Sequence, residues 1–153
     1  MNQSNNKSTH HDLIAEITKH SQDGQLEKWI DTFLRAEGKN SALADGLKKR
    51  KRYWAGPMLF PLKKLERCCG PEKEMEYQES IENWNRKVNS LIEYIQSEGD
   101  LAPFIVSYAG GIFSVRDGNH RYGAYEKLGR EKYWALIWCD SEEELEEIKN
   151  LRQ

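Results

Sequence analysis

The sequence predicts an α+β fold: a small mixed β-sheet flanked by helices, with a helical extension at the N-terminal side. Three observations carry that expectation. Apolar residues recur at helical spacing through residues 11–52. After Trp54 the texture changes to short apolar runs punctuated by Pro and Gly. Strand-like and helix-like runs then follow in the order β-α-β-β-α-β-α.

Residues 1–10 are rich in Asn and Ser and are expected as a disordered lead-in. Residues 11–54 are expected as the helical extension. Leu13, Ile14 and Ile17 mark its first helix, and Leu26, Trp29, Ile30, Phe33 and Leu34 form one apolar stripe that ends at Gly38. Ser41 is placed to cap a third helix, through Leu43 and Leu47, that ends in "KKRKR" at residues 48–52. The remaining span, 55–153, reads as the sheet-containing domain. "GPMLFPL" is a short edge strand, because Pro57 and Pro61 cannot donate to a central ladder. Residues 66–80 read as a long loop broken at Gly70-Pro71. A helix over 82–97 stops near Gly99, and "PFIVSY", "AGG" and "IFSVR" make a hairpin. The next helix covers 118–128 and ends at Gly129, a natural left-handed cap. "KYWALIWC" follows as a buried strand. Asp140 or Ser141 caps a last helix whose first turn holds Glu142, Glu143 and Glu144 and whose last holds Lys149 and Arg152, an order that suits the helix dipole.

The bulk properties narrow the function. The 153 residues carry a formal net charge of −2, so there is no overall pull toward nucleic acid or anionic lipid. No apolar run approaches the roughly 18 residues that span a bilayer, and the N-terminus lacks the apolar core of a signal peptide, which points to the cytoplasm. Three cysteines do not make a disulfide framework. Cys68 and Cys69 have no Cys/His ligand spacing around them, so loop or core thiols are expected and no metal site. The cations Lys48, Lys49, Arg50, Lys51 and Arg52 could meet DNA phosphates, but a solvated helix end explains them as well.

The residues that ask for a ligand lie in "SVRDGNHRYGAYEKLG", 114–129. A helix start carries about half a positive charge and several unpaired N–H groups. Asp117 is an ordinary cap there. His120 and Arg121 are not, since cations in the first turn oppose the dipole. An anion removes the conflict, because dipole, N–H groups, imidazole and guanidinium then converge on one phosphate. Gly118 fits, since a missing side chain lets the backbone approach the ligand. An Arg121–Asp117 pair beside an exposed His120 is the other account of these residues. A second stretch, "ENWNRKVNSLIEYI", places Lys87, Ser90 and Tyr94 on one stripe apart from the core-facing Trp84, Val88, Leu91, Ile92 and Ile95, at about 100° per residue.

"DGNHRYGAYEKLG" followed by an apolar strand resembles the phosphate-binding box of the ParB/sulfiredoxin superfamily, and so does the order of elements over residues 57–151. "KVNSLIEYI" resembles the sulfiredoxin helix that gives a lysine and a serine to the ATP phosphates, which implies Lys87 and Ser90. The box implies His120 and Arg121 as phosphate ligands. Its ParB counterpart, which holds the triphosphate of CTP, implies Gly118 and Arg121, with Asn119 between them. The sulfiredoxin nucleophile, a cysteine directly before the His, is Asn119 here, so sulfinic-acid reductase activity is not expected. No helix-turn-helix region follows the box within these residues, so clamp formation on centromeric DNA is not expected either.

The resemblance implies a nucleotide-binding protein, with ATP, ADP or CTP as ligand and Mg²⁺ as companion ion. Two readings stay open. One is a nucleotide-dependent phosphotransferase or NTP hydrolase acting on a small acceptor, since the superfamily includes free-serine kinases. Asp117, His120 and Arg121 are then its candidate catalytic residues, with Asp117 as base or Mg²⁺ partner. The other is a non-catalytic nucleotide-sensing or DNA-associated accessory module.

Overall fold

The computed structural model describes residues 3–151. Three helices come first: α1 (Gln3–Gln22), α2 (Leu26–Arg35) and α3 (Ser41–Leu47). The helix therefore begins at Gln3, where a disordered lead-in through residue 10 was expected. The basic run also differs from expectation. α3 ends at Leu47, and residues 48–52 form the connection into β1 (Tyr53–Pro61). Most of its charges have partners: Lys48 lies 3.5 Å from Asp31, Arg50 3.8 Å from Asp140, and Arg52 2.6 Å from Asp140. Arg52 also donates to the Gly46 and Leu47 carbonyls, which closes the end of α3.

A five-stranded sheet runs in the order β1-β7-β5-β6-β2, from β1, β2 (Leu65–Arg67), β5 (Phe104–Ala109), β6 (Ile112–Asp117) and β7 (Lys132–Cys139). β1 is an edge strand, as its prolines require, and pairs antiparallel with β7. β5 lies parallel to β7 and antiparallel to β6, and β2 adds to β6 in parallel. Phe104 and Val106 of β5 and Ala135 and Ile137 of β7 face one core, with Tyr122 and Tyr125 from α5 (Asn119–Lys127) and Ile148 from α6 (Glu142–Leu151). The alternate residues Ile105, Leu136 and Trp138 face Ile17, Leu26, Ile30, Leu34, Ala44 and Leu47 from α1–α3. Strands buried on both faces read as unbroken apolar runs, as "FIV" and "ALIWC" do. The N-terminal helices are thus one layer of the molecule, laid over the sheet.

Residues 66–80, expected as a loop, contain β2 and a small parallel ladder of β3 (Cys69–Gly70) and β4 (Tyr77–Gln78). Its bonds run from Tyr77 N–H to the Cys68 carbonyl (2.9 Å) and from Glu79 N–H to the Gly70 carbonyl (3.0 Å). The ladder folds residues 68–79 into a compact loop. α4 (Ile81–Glu98) follows, capped by Ser80, whose Oγ accepts from Asn83 N–H at 3.1 Å. Ser141 caps α6 in the same way, accepting from Glu144 N–H at 3.2 Å.

α4 packs on α5 through Trp84, Val88 and Ala124. Gly123 is what allows the close approach. A Cβ there would stand 2.7 Å from Cζ2 of Trp84 and 3.1 Å from Cγ2 of Val88. Gly123→Val should therefore overpack this contact and cost about 1–3 kcal/mol, read as a fall in melting temperature of roughly 3–10 °C. A melt matching wild type would show that the two helices are not held this tightly.

Candidate functional site

β6 delivers the chain to the start of α5. Asp117 is the last residue of β6, and Gly118, at φ +107°, is the N-cap. A left-handed residue is needed to turn from strand to helix here, and Gly takes that conformation without strain. It offers no side-chain cap, so the first N–H groups of α5 have no side-chain acceptor from this position.

Asp117 is consequently not the cap, which corrects the sequence expectation. It is buried, and its carboxylate is occupied. Oδ1 accepts from Asn40 Nδ2 at 3.0 Å and Oδ2 lies 3.2 Å from Arg121 Nη2. Its charge is balanced in the ligand-free protein by Arg121 and the Asn40 amide. Arg121 differs from expectation as well. The same Nη2 donates to the Pro103 carbonyl at 2.9 Å, the guanidinium lies 6.0 Å from the Phe33 ring, and it rests against Gly118. It tethers the start of α5 to β5 and to the N-terminal helices.

His120 faces the other way. Its Nε2 meets Glu79 Oε1 at 2.5 Å, and its ring packs on Trp84 with centroids 4.9 Å apart. Glu79 is held from its second oxygen by Asn83 Nδ2 at 2.5 Å. Cys69 completes the group, with Sγ 3.7 Å from Glu79 Oε1. The donor atoms of Cys69, Glu79 and His120 all lie within 4.8 Å of one another. Around them, the Arg67 guanidinium sits 4.5 Å from the Trp84 ring and pairs with Glu72 at 2.6 Å.

The electrostatics follow from this crowding. Burial alone would raise the Glu79 pKa, but the hydrogen bond and charge of His120, the Asn83 amide and the nearby Lys87 outweigh it, and the carboxyl is held below its ordinary range. Burial first, and then the Glu79 charge, push the Cys69 thiol up to about 11. At neutral pH Glu79 is ionised and Cys69 is a thiol.

Asn119 is the structural link. Its buried amide oxygen accepts from the N–H groups of Cys68 (2.9 Å) and Cys69 (3.3 Å), and Nδ2 donates to the Val115 carbonyl at 3.0 Å. Cys68 and Cys69, expected as loop or core thiols, are thereby clamped onto the box. Among the residues predicted from sequence, the structure brings Gly118, Asn119 and His120 together with Lys87, which is exposed on α4 and within electrostatic reach of Glu79 and Cys69. Ser90 and Tyr94 instead line a cleft of about 520 Å³ with His10, Leu13, Glu37 and Asp100. Glu79 and Cys69 were missed. The β3–β4 ladder that brings them together leaves no spacing signal, and only Glu79's position one residue before the α4 cap marked it.

No family model and no curated protein matches the chain. Solved structures that it resembles include sulfiredoxin from Arabidopsis thaliana, at 28% identity, with 60% of this chain and 96% of that one covered and a TM-score of 0.41. A free serine kinase in complex with AMP aligns at 17% identity over 52% of this chain and 30% of its own, with a TM-score of 0.41. The C-terminally truncated chromosome-partitioning protein ParB from Caulobacter crescentus, complexed with CTP-gamma-S, aligns at 20% identity over 65% and 54%, with a TM-score of 0.39. The chain therefore spans less than a third of the serine kinase and about half of that ParB chain. The chain itself carries a mixed sheet flanked by helices. No helix among the described residues is long and apolar enough to cross a membrane.

Proposed function

We propose that this chain binds the phosphates of a nucleotide at the start of α5, and that it is a nucleotide-dependent phosphotransferase or NTP hydrolase acting on a small acceptor. The observation that carries the reading is the amino end of α5. It has no side-chain cap, it is bordered by His120 in its own first turn, and Lys87 faces the same group from α4. Free N–H groups, a positive helix end, an imidazole donor and the Lys87 ammonium suit an anion. On a transferring phosphoryl group the same elements would stabilise developing charge. Gly118 keeps the backbone open to a phosphate, and Asn119 supports the site from beneath. Glu79, set beside His120 and Cys69, joins Asp117 as a candidate carboxylate for ion binding or proton transfer.

The test is a thermal-shift screen with ATP, ADP, CTP and GTP, each with and without Mg²⁺, followed by a turnover assay with the nucleotide that binds. A ligand held at about a hundred times its Kd should add about 2.7 kcal/mol to the stability of the folded state. Lys87→Ala is the informative variant, since Lys87 is exposed and its loss should leave the ligand-free melt unchanged. Removing a charged donor should weaken nucleotide binding by about 1.5–3 kcal/mol, or roughly ten- to a hundredfold. A wild-type melt that no nucleotide shifts would overturn the reading, and binding without turnover would leave the sensing module in its place.

A further inference from the structure

We infer that Cys69, Glu79 and His120 form a site for a divalent transition-metal ion of the zinc class, with one coordination position left open toward the phosphate site. The three groups offer a sulfur, an oxygen and a nitrogen, the donor types that zinc takes. Three protein ligands and an open fourth position are the pattern of sites that bind an exchangeable ligand rather than purely structural ones.

The distances suit the assignment. With bonds of about 2.0–2.3 Å, neighbouring donors in a tetrahedral site stand roughly 3.3–3.7 Å apart. Cys69 Sγ and Glu79 Oε1 are already at 3.7 Å, and all three donors lie within 4.8 Å. His120 Nε2 and Glu79 Oε1, now in contact at 2.5 Å, would part by about 1 Å to admit the ion between them. On binding, the Cys69 thiol proton leaves to solvent and the ligand is the thiolate.

The supporting groups are those that orient metal ligands. Asn83 fixes the far oxygen of Glu79, Asn119 holds the Cys69 backbone, and Trp84 packs on the His120 ring. The ligands come from β3, the residue before the α4 cap, and the first turn of α5, so one ion would tie together three elements separated by up to 51 positions in the chain (120 − 69). A cleft of about 420 Å³, lined by Asn119, Arg116, Tyr77 and Asn40, reaches the group at Cys69. All three ligands are only partly exposed, with 25% of the His120 and 14% of the Glu79 side chain accessible, so the ionised Glu79 is incompletely solvated and would gain from a cation.

The inference deepens the phosphate-site reading by giving that site a resident ion, yet it can be tested without any nucleotide. The untagged full-length protein, treated with chelator and kept in a phosphine reductant, is titrated with Co²⁺ alone. The expected result is one equivalent bound, with a near-ultraviolet thiolate-to-cobalt charge-transfer band and the strong visible bands of a four-coordinate ion, both displaced by Zn²⁺. Other histidines cannot produce the charge-transfer band, because it requires sulfur. Cys69→Ser should remove it, Cys68→Ser and Cys139→Ser should keep it, and Glu79→Gln and His120→Gln should each weaken Co²⁺ binding by about tenfold or more. No charge-transfer band, or a band that survives Cys69→Ser, overturns the site. If Cys69→Ser proves unfolded by circular dichroism, Glu79→Gln decides: a folded variant with unchanged Co²⁺ affinity overturns it equally. A metal site without any nucleotide shift would leave this inference standing and remove the phosphate reading.

Discussion

Asn119→Ala is expected to cost about 3–4 kcal/mol, the largest single-residue loss at the site. The amide satisfies the N–H groups of Cys68 and Cys69 and the Val115 carbonyl, all in a buried environment. Each buried polar group left without a partner costs about 1–3 kcal/mol; the Val115 carbonyl keeps the Cys68 thiol as donor, so the loss falls on the Cys68 and Cys69 N–H groups. The melting temperature should fall by roughly 10 °C. A second readout separates this from a general loosening. Without the clamp, the 68–69 segment should leave α5, and Cys69 should react faster with an aromatic disulfide reagent than in wild type. Asn119→Asp should not rescue the loss. It keeps the acceptor but loses the donor and sets a carboxylate against the Val115 carbonyl. A wild-type melt for Asn119→Ala would mean that the amide does not hold the loop.

Arg121→Ala is expected to destabilise the ligand-free protein by about 3 kcal/mol. Its guanidinium is the charge partner of Asp117, whose side chain is 9% exposed. Removing one member of a buried pair leaves the other uncompensated, a loss of about 3–5 kcal/mol. The low end applies, because Asn40 still donates to Asp117 and because the buried Arg121 Nε has no acceptor among the described residues. Asp117→Asn in the Arg121→Ala background should recover part of the loss, since the stranded charge is then gone. From the sequence alone, a cation in the first turn of α5 reads as a cost to the free protein, offset either by bound phosphate or by a pair with Asp117. Melts of the single and double variants discriminate: an unchanged Arg121→Ala melt supports the phosphate assignment of this residue, and a large loss with partial recovery supports the tether.

The main elements of the sheet were legible because the local signals were strong and agreed. Unbroken apolar runs marked β5 and β7, the prolines of β1 marked an edge, and Gly marked the ends of α4 and α5. His120 stood out because its charge contradicts the helix dipole. What escaped was set by contacts between distant residues. Asp117 looks like a cap because Asp commonly caps, but Gly118 takes the turn and leaves Asp117 in the strand. Nothing local to Cys69 or Glu79 announces that a two-residue ladder will set them beside His120. The N-terminal helices showed their apolar stripe plainly. Its counterpart on the sheet, Ile105, Leu136 and Trp138, was hidden inside runs that are apolar on both sides.

That layer has a consequence for biosynthesis. The helices that carry Ile17, Ile30 and Leu34 are made before the strands they cover, β5 and β7, which follow some 70 to 120 residues later. At roughly 5–20 residues per second, the stripe waits several seconds outside the ribosome before Leu136 and Trp138 arrive to meet it. During that interval the nascent chain displays an amphipathic helix pair with nothing to lie on, which is the kind of surface that chaperones engage. Substitutions that make this stripe more polar should then raise soluble yield during slow translation while lowering the stability of the finished molecule.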